Sequence, residues 1–101
     1  MSRWEKLLKT LGFTDSESKL YLVALEMGEA TVQELAKKAN VSRVTAYAVI
    51  DSLMKSGLMS TVERGKRRLF IAESPERLTS FVQARMRQME STLKEVETSR
   101  E

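Results

Sequence analysis

Apolar side chains recur along this chain in steps of three and four, broken by short polar turns, and one stretch changes to a shorter period. Trp4, Leu7, Leu8 and Leu11 stand at i, i+3, i+4 and i+7, which predicts an amphipathic helix over about residues 3–11, stopped at Gly12. Leu20, Val23, Ala24 and Met27 carry a second helix, about 15–27, that ends at Gly28. Val32, Leu35, Ala36 and Ala39 repeat the first spacing and predict a third over about 32–39. Ala46, Val49, Ile50 and Leu53 cover one side of a fourth, about 43–56, closed by Gly57. The period then shortens, and Leu58 to Glu63 with Arg68 to Glu73 read as two strands, Val62, Leu69 and Ile71 facing the core. Between them Gly65 supplies the positive φ that a tight loop needs. In the last helix Val82, Met86, Met89, Leu93 and Val96 alternate in steps of four and three, a heptad seam of about two heptads, with Leu78 and Phe81 adding bulk at its start.

The polar breaks fix where these helices begin. Thr14 with Glu17 and Thr31 with Glu34 have the spacing at which a hydroxyl and a carboxylate cap each other's backbone donors. Asn40-Val41-Ser42 is a three-residue break: Asn tolerates the left-handed conformation, Val tucks under both helices and Ser42 caps the next helix. Ser74-Pro75-Glu76 opens the last helix with a hydroxyl cap, a proline in the first turn and an acid at the positive end of the helix dipole. The predicted fold is mainly α with a small β-hairpin wing, a winged helix-turn-helix with a long C-terminal helix. Residues 1–74 form the winged helix, with the hairpin at about 58–73, and residues 75–101 form a C-terminal dimerisation helix, its seam wanting a second helix.

Charge sharpens this picture. Residues 31–72 hold eight of the seventeen Lys and Arg but three of the fourteen acids, so the segment carries +5 while each flank carries −1. Cations focused on a helix-turn-helix and a hairpin tip suit a phosphate backbone, where counterion release supplies most of the affinity. The candidate DNA-binding residues are Ser42, Arg43, Thr45 and Tyr47 on the second helix of the motif and Arg64, Lys66, Arg67 and Arg68 on the wing. Arg43 sits where a guanidinium reaches a phosphate or a guanine edge, and the Tyr47 hydroxyl can donate to a phosphate unless the ring is partly core. Val44, Thr45, Tyr47, Ala48, Asp51 and Lys55 point outward, and a Thr or Val methyl can meet a thymine methyl. Thr31 and Gln33 are further phosphate candidates, although capping suffices for Thr31, and Lys37 and Lys38 suit a solvated face equally well. Glu63 is the one acid beside the wing tip in sequence, so the tip cations are expected to lack intramolecular ion pairs.

Other chemistry has little to work with. The chain has no Cys and no His, which removes thiolate and imidazole ligands and the commonest general base, and the acids left after capping form no cluster. We expect no catalytic residue, no metal and no cofactor. The longest apolar run falls far short of a bilayer span, there is no apolar signal-peptide core, and 101 residues leave no room for a second, ligand-sensing domain. A cytoplasmic chain is expected, without membrane contact. An organic effector, if there is one, is placed at a dimer interface near Trp4, Tyr21 and Phe81.

Leu11-Gly12-Phe13-Thr14-Asp15-Ser16-Glu17, Tyr21-Leu22 and Ser42-Arg43-Val44-Thr45-Ala46-Tyr47 resemble the N-terminal domain of the TrmB family, over about residues 5–80. That family is archaeal and bacterial, its N-terminal domain is a winged helix that binds operators, and its longer members add a sugar-binding domain. The resemblance implies a short-form regulator or an isolated DNA-binding domain, prokaryotic and archaeal before bacterial, and gives no support for sugar sensing. It places Ser42, Arg43, Thr45 and Tyr47 on the recognition helix and Arg64, Lys66, Arg67 and Arg68 on the wing. The expected function is a sequence-specific transcriptional regulator on double-stranded DNA, homodimeric through Val82, Met86, Met89, Leu93 and Val96. The alternatives are a weakly specific architectural DNA binder and a winged helix used for protein contact.

Overall fold

The first turn of an α-helix leaves backbone N–H groups without partners, and this chain meets that need with side chains. In the computed structural model, which describes residues 3–99, Thr14 Oγ1 accepts from Glu17 N at 3.1 Å while Glu17 Oε1 accepts from Thr14 N at 2.9 Å. Thr31 and Glu34 repeat the exchange at 3.1 and 2.8 Å. The helices are α1 (Arg3–Thr10), α2 (Asp15–Met27), α3 (Val32–Ala39) and α4 (Arg43–Lys55). Strands β1 (Met59–Arg64) and β2 (Arg67–Ala72), a 3-10 turn (Pro75–Arg77) and α5 (Leu78–Thr98) follow. This is the expected order: a mainly helical chain with a two-stranded antiparallel wing. The outer ends of the two predicted segments, residues 1, 2, 100 and 101, lie outside the described residues.

Three expectations need correction. Pro75 opens a 3-10 turn, not the α-helix itself: Ser74 caps that turn by accepting from Glu76 N at 3.3 Å, and α5 starts at Leu78. The strands run one residue closer to the tip than the sequence suggested, pairing Met59 with Ala72 through to Arg64 with Arg67, which leaves Gly65-Lys66 as a two-residue turn with Gly65 at φ 62°. Leu69 is buried as expected, but its buried companion is Phe70, while Val62 and Ile71 are half-covered. Phe70 belongs to the core cluster, and the backbone of Ala30, between α2 and α3, pairs with it along the free edge of β2: Ala30 N donates to Phe70 O at 3.0 Å and Phe70 N to Ala30 O at 2.7 Å. That bridge adds a third backbone segment beside β2 at its outer edge.

One core joins all of these elements. Leu20, Tyr21 and Ala24 of α2, Leu35 and Ala36 of α3, Ala46, Ile50 and Leu53 of α4, and Leu58, Met59 and Phe70 around the hairpin form a single buried cluster. Phe13 and Phe81 extend it, with Phe13 packed edge-on against Tyr21 at 5.8 Å and tilted against Phe81 at 4.6 Å between ring centres. The α1 stripe does not follow its expected burial: Leu8 enters the core, whereas Trp4, Leu7 and Leu11 remain exposed. Beyond Val82 the seam of α5 also leaves the core, because the helix projects past it, giving the molecule extents of 55 × 31 × 27 Å.

Tyr21 ties α2 to the end of the wing. Its hydroxyl donates to the Glu73 carbonyl at 2.9 Å. Burial first, and then the nearby Glu73 charge, push the phenol above its ordinary value of 10.0. A phenol with a raised folded value stabilises the fold below the unfolded value, and that contribution is lost as pH rises through the folded one. Tyr21→Phe should cost about 1 kcal/mol in denaturant unfolding at neutral pH. The gap between wild type and variant should shrink once the pH passes the ordinary tyrosine value; a gap independent of pH would contradict the assignment.

Candidate nucleic-acid interface

The position of α4 follows from the turn before it. Asn40 takes the left-handed conformation, φ 57° and ψ 47°, and Val41 N donates to Ala36 O at 3.0 Å, which seats Val41 against the core. Ser42 Oγ accepts from Thr45 N at 3.1 Å and its hydroxyl donates to Thr45 Oγ1 at 2.9 Å. With Ala46, Val49, Ile50 and Leu53 buried, α4 exposes Arg43, Val44, Tyr47, Ala48, Asp51 and Lys55. Tyr47 is a surface residue and not an edge of the core. Thr45, expected to point outward, is half-buried with its hydroxyl engaged by Ser42, so both residues serve first as the cap. Asp51 is paired with Lys55 at 3.0 Å.

On the wing the expectation of unpaired cations fails. Arg64 makes a two-pronged contact with Glu29, Nε to Oε1 at 3.0 Å and Nη2 to Oε2 at 2.7 Å. Arg68 Nε lies 3.4 Å from Glu63, and Arg67 Nη2 lies 4.0 Å from Glu34. The register explains the need: Arg64 stands directly opposite Arg67, a like-charge pair that nearby acids offset. Glu29 escaped the sequence reading because a single backbone bridge, Ala30 to Phe70, carries it to the wing, and one bridged residue has no periodicity to detect. Lys66, at the tip, has no ion pair or hydrogen bond among the described residues. All of these pairs are exposed, so they are weak and readily exchanged for another anion.

The start of α3 brings the two cationic elements together. Arg43 Nη2 donates to Gln33 Oε1 at 3.3 Å, while Arg67 approaches the adjacent Glu34, so α3's first turn stands between the start of α4 and the wing. Lys37 and Lys38 are exposed on the same helix. The proposed effector trio is not assembled as an open site, since Tyr21 and Phe81 are core residues and Trp4 is on the surface. Among the described residues no three His, Cys, Asp or Glu side chains group as metal ligands, and no helix is long and apolar enough to cross a membrane.

The sequence pattern of the family described as "Sugar-specific transcriptional regulator TrmB" matches residues 8–76. The chain belongs to the TrmB family. This TrmB-family chain is 43% identical over 51 residues to the uncharacterized protein YrhO of Bacillus subtilis, covering 50% of this chain and 18% of that one. It is 30% identical over 77 residues to protein MJ1082 of Methanocaldococcus jannaschii, covering 72% and 64%. It therefore spans less than two-thirds of either relative. Among solved structures it superposes on TrmBL2, described as an archaeal chromatin protein with a novel mode of DNA binding, with a TM-score of 0.73 and 25% identity over 96% of this chain and 37% of that one. The MarR repressor of Listeria monocytogenes shares the fold, with a TM-score of 0.62 and 19% identity over 96% and 68%.

In this TrmB-family wing, the Arg64 guanidinium holds the Glu29 carboxyl below its ordinary value of 4.5. Glu34 is likewise lowered, first by the Thr31 backbone N–H, then by the Thr31 hydroxyl and Arg67. Carboxyls with lowered folded values contribute stability above the unfolded value and lose it as pH falls through the folded one. In a carboxyl-carbon NMR titration Glu29 should have its midpoint below 4.5 and return towards it in Arg64→Ala, with Glu34 nearly unmoved. A Glu29 midpoint unchanged in the variant would remove this ion pair from the wing.

Proposed function

We propose that this chain is a sequence-specific, DNA-binding transcriptional regulator that acts as a cytoplasmic homodimer, with α4 in the major groove and the wing on the phosphate backbone. The observation that carries the reading is that Arg43 of α4 and Arg67 of the wing both reach the first turn of α3. The wing's acids do not oppose this, because exposed ion pairs exchange for phosphate at small cost, and Lys66 at the tip needs no exchange. Arg43 and Tyr47 are exposed for contact, while Ser42 and Thr45 set the helix start. Family membership supports the regulator class. Relatives in a bacterium and an archaeon support a prokaryotic source, and the archaeal assignment rests on the resemblance and the TrmBL2 likeness.

Dimerisation is supported by what α5 leaves uncovered. Val82 packs on the core, but Met86, Met89, Leu93 and Val96 stand exposed along one stripe of a projecting helix, an apolar face that a second copy of the helix would bury. A two-fold dimer sets two recognition helices about 34 Å apart, in successive major grooves of a pseudo-palindromic site. A second reading, an architectural binder of weak specificity, is favoured by the likeness to TrmBL2. Footprinting separates the two: a bounded site supports the regulator, continuous protection the architectural protein.

Titration of a labelled duplex pool at several salt concentrations tests DNA binding, which should weaken steeply with salt. Replacing Arg67 and Arg68 with Ala should lower the log–log salt slope by about 1 per lost phosphate contact, without changing the preferred sequence. No binding to any duplex at low salt would overturn the reading and turn attention to protein partners. Met89→Glu with Leu93→Glu should convert a dimer to a monomer in light scattering while leaving the thermal transition of the core in place. A wild-type monomer would refute the dimer.

A further inference from the structure

The first turns of α4 carry an apolar strip that nothing in the fold uses. Val44 is 81% exposed, more than any other large apolar side chain among the described residues. Tyr47 and Ala48, three and four positions on, lie on the same side of the helix and are exposed as well. The surrounding polar groups are occupied. The Ser42 and Thr45 hydroxyls bond to each other, Arg43 leans on Gln33, and Asp51 is paired with Lys55. Val44 therefore contributes no packing to the core, no cap and no ion pair, and as a β-branched residue it slightly weakens the helix it starts. The helix end that a major groove would meet first presents an aliphatic group where a polar one would cost folding nothing.

Only one apolar group projects from base edges into the major groove, the C5-methyl of thymine. Building on the DNA-binding reading above, we propose that Val44, with Ala48 one turn further along, is the specificity-determining element of this protein and selects thymines by their methyl groups. From Val44 to Ala48 the helix rises about 6 Å, enough to face methyls on neighbouring base pairs. Thr45, whose methyl the sequence offered for this contact alongside that of Val44, is half-buried and held by the cap. Tyr47 beside the strip adds an aromatic wall that keeps water from the contact. Arg43 supplies orientation through phosphate or a guanine edge.

The test uses the full chain. Duplexes enriched from a random pool are resynthesised with uracil replacing thymine at one position at a time, which removes the methyl and keeps base pairing, and each is titrated against wild type and Val44→Ala. One or two positions should show about fourfold weaker binding on loss of the methyl, and that sensitivity should fall away in Val44→Ala. Uracil replacement that is neutral at every position would overturn the proposal, as would a methyl dependence that persists undiminished in Val44→Ala. Duplex binding without any enriched sequence would also overturn it while leaving DNA binding intact, whereas no duplex binding at all would remove the underlying reading itself. Because Val44 is exposed, Val44→Ala should keep the wild-type melting curve, which separates a lost contact from a lost fold.

Discussion

The arrangement of this molecule depends on one nearly buried carboxylate. Glu17 Oε1 accepts from Thr14 N at 2.9 Å and so starts α2, while Oε2 accepts from the Ser52 hydroxyl of α4 at 2.8 Å and faces Arg85 of α5 at 3.7 Å. Arg85 is held in turn by the Gly12 carbonyl at 3.1 Å and lies 4.7 Å over the Phe81 ring. A carboxylate kept from water without partners would carry a heavy penalty, so its stability depends on all three elements being in place at once. Among the described residues no buried side-chain nitrogen or oxygen is left without a partner. The network links α2, α4 and the projecting α5.

The backbone between α2 and α3 has the same connecting role for the wing. Ala30 adds one paired residue to β2, Glu29 before it anchors Arg64, and Thr31 after it caps α3. Three consecutive residues thus fix the wing to the body, hold one of its cations and start the helix whose first turn touches Arg43 and Arg67. The wing is consequently anchored at its base, while at its tip Lys66 has no ion pair among the described residues. Charge is concentrated on this surface by like-signed neighbours, and the acids beneath it lower the repulsion enough for the hairpin to close.

The elements were legible in the sequence because local signals agree. Both capping boxes, the left-handed Asn40 and the Ser42 cap occur where spacing placed them, and the buried face of α4 is the one its periodicity implied. What the sequence concealed depends on contacts between distant residues. Glu17 looked complete as a capping acid, and nothing local showed that its second oxygen meets Ser52 and Arg85. Phe70 was hidden because strand alternation assumes one covered face, whereas the adjacent Leu69 and Phe70 are both buried and Phe70 joins the core. The wing cations looked unpaired because Glu29 and Glu34 are far away along the chain and near in space. The periodicity of α1 promised more burial than it has, since periodicity shows that a face is apolar without showing what covers it.

That last distinction also bears on α5. Its apolar stripe is continuous with the core at Phe81 and Val82 and then passes into solvent at Met86, so one helix belongs to the fold for its first turns and to its surroundings afterwards. Arg85 stands at the crossover, and through Glu17 and Ser52 it fixes the direction in which the helix leaves the core relative to α4. In a dimer joined along that stripe, the separation and tilt of the two recognition helices would be set by three side chains near the root of α5 and by its rigidity beyond them. Under the proposed dimer, two copies of α4 would have to match a fixed groove spacing, a demand that a stiff helix leaving the core at a defined angle would meet and a flexible tether would not.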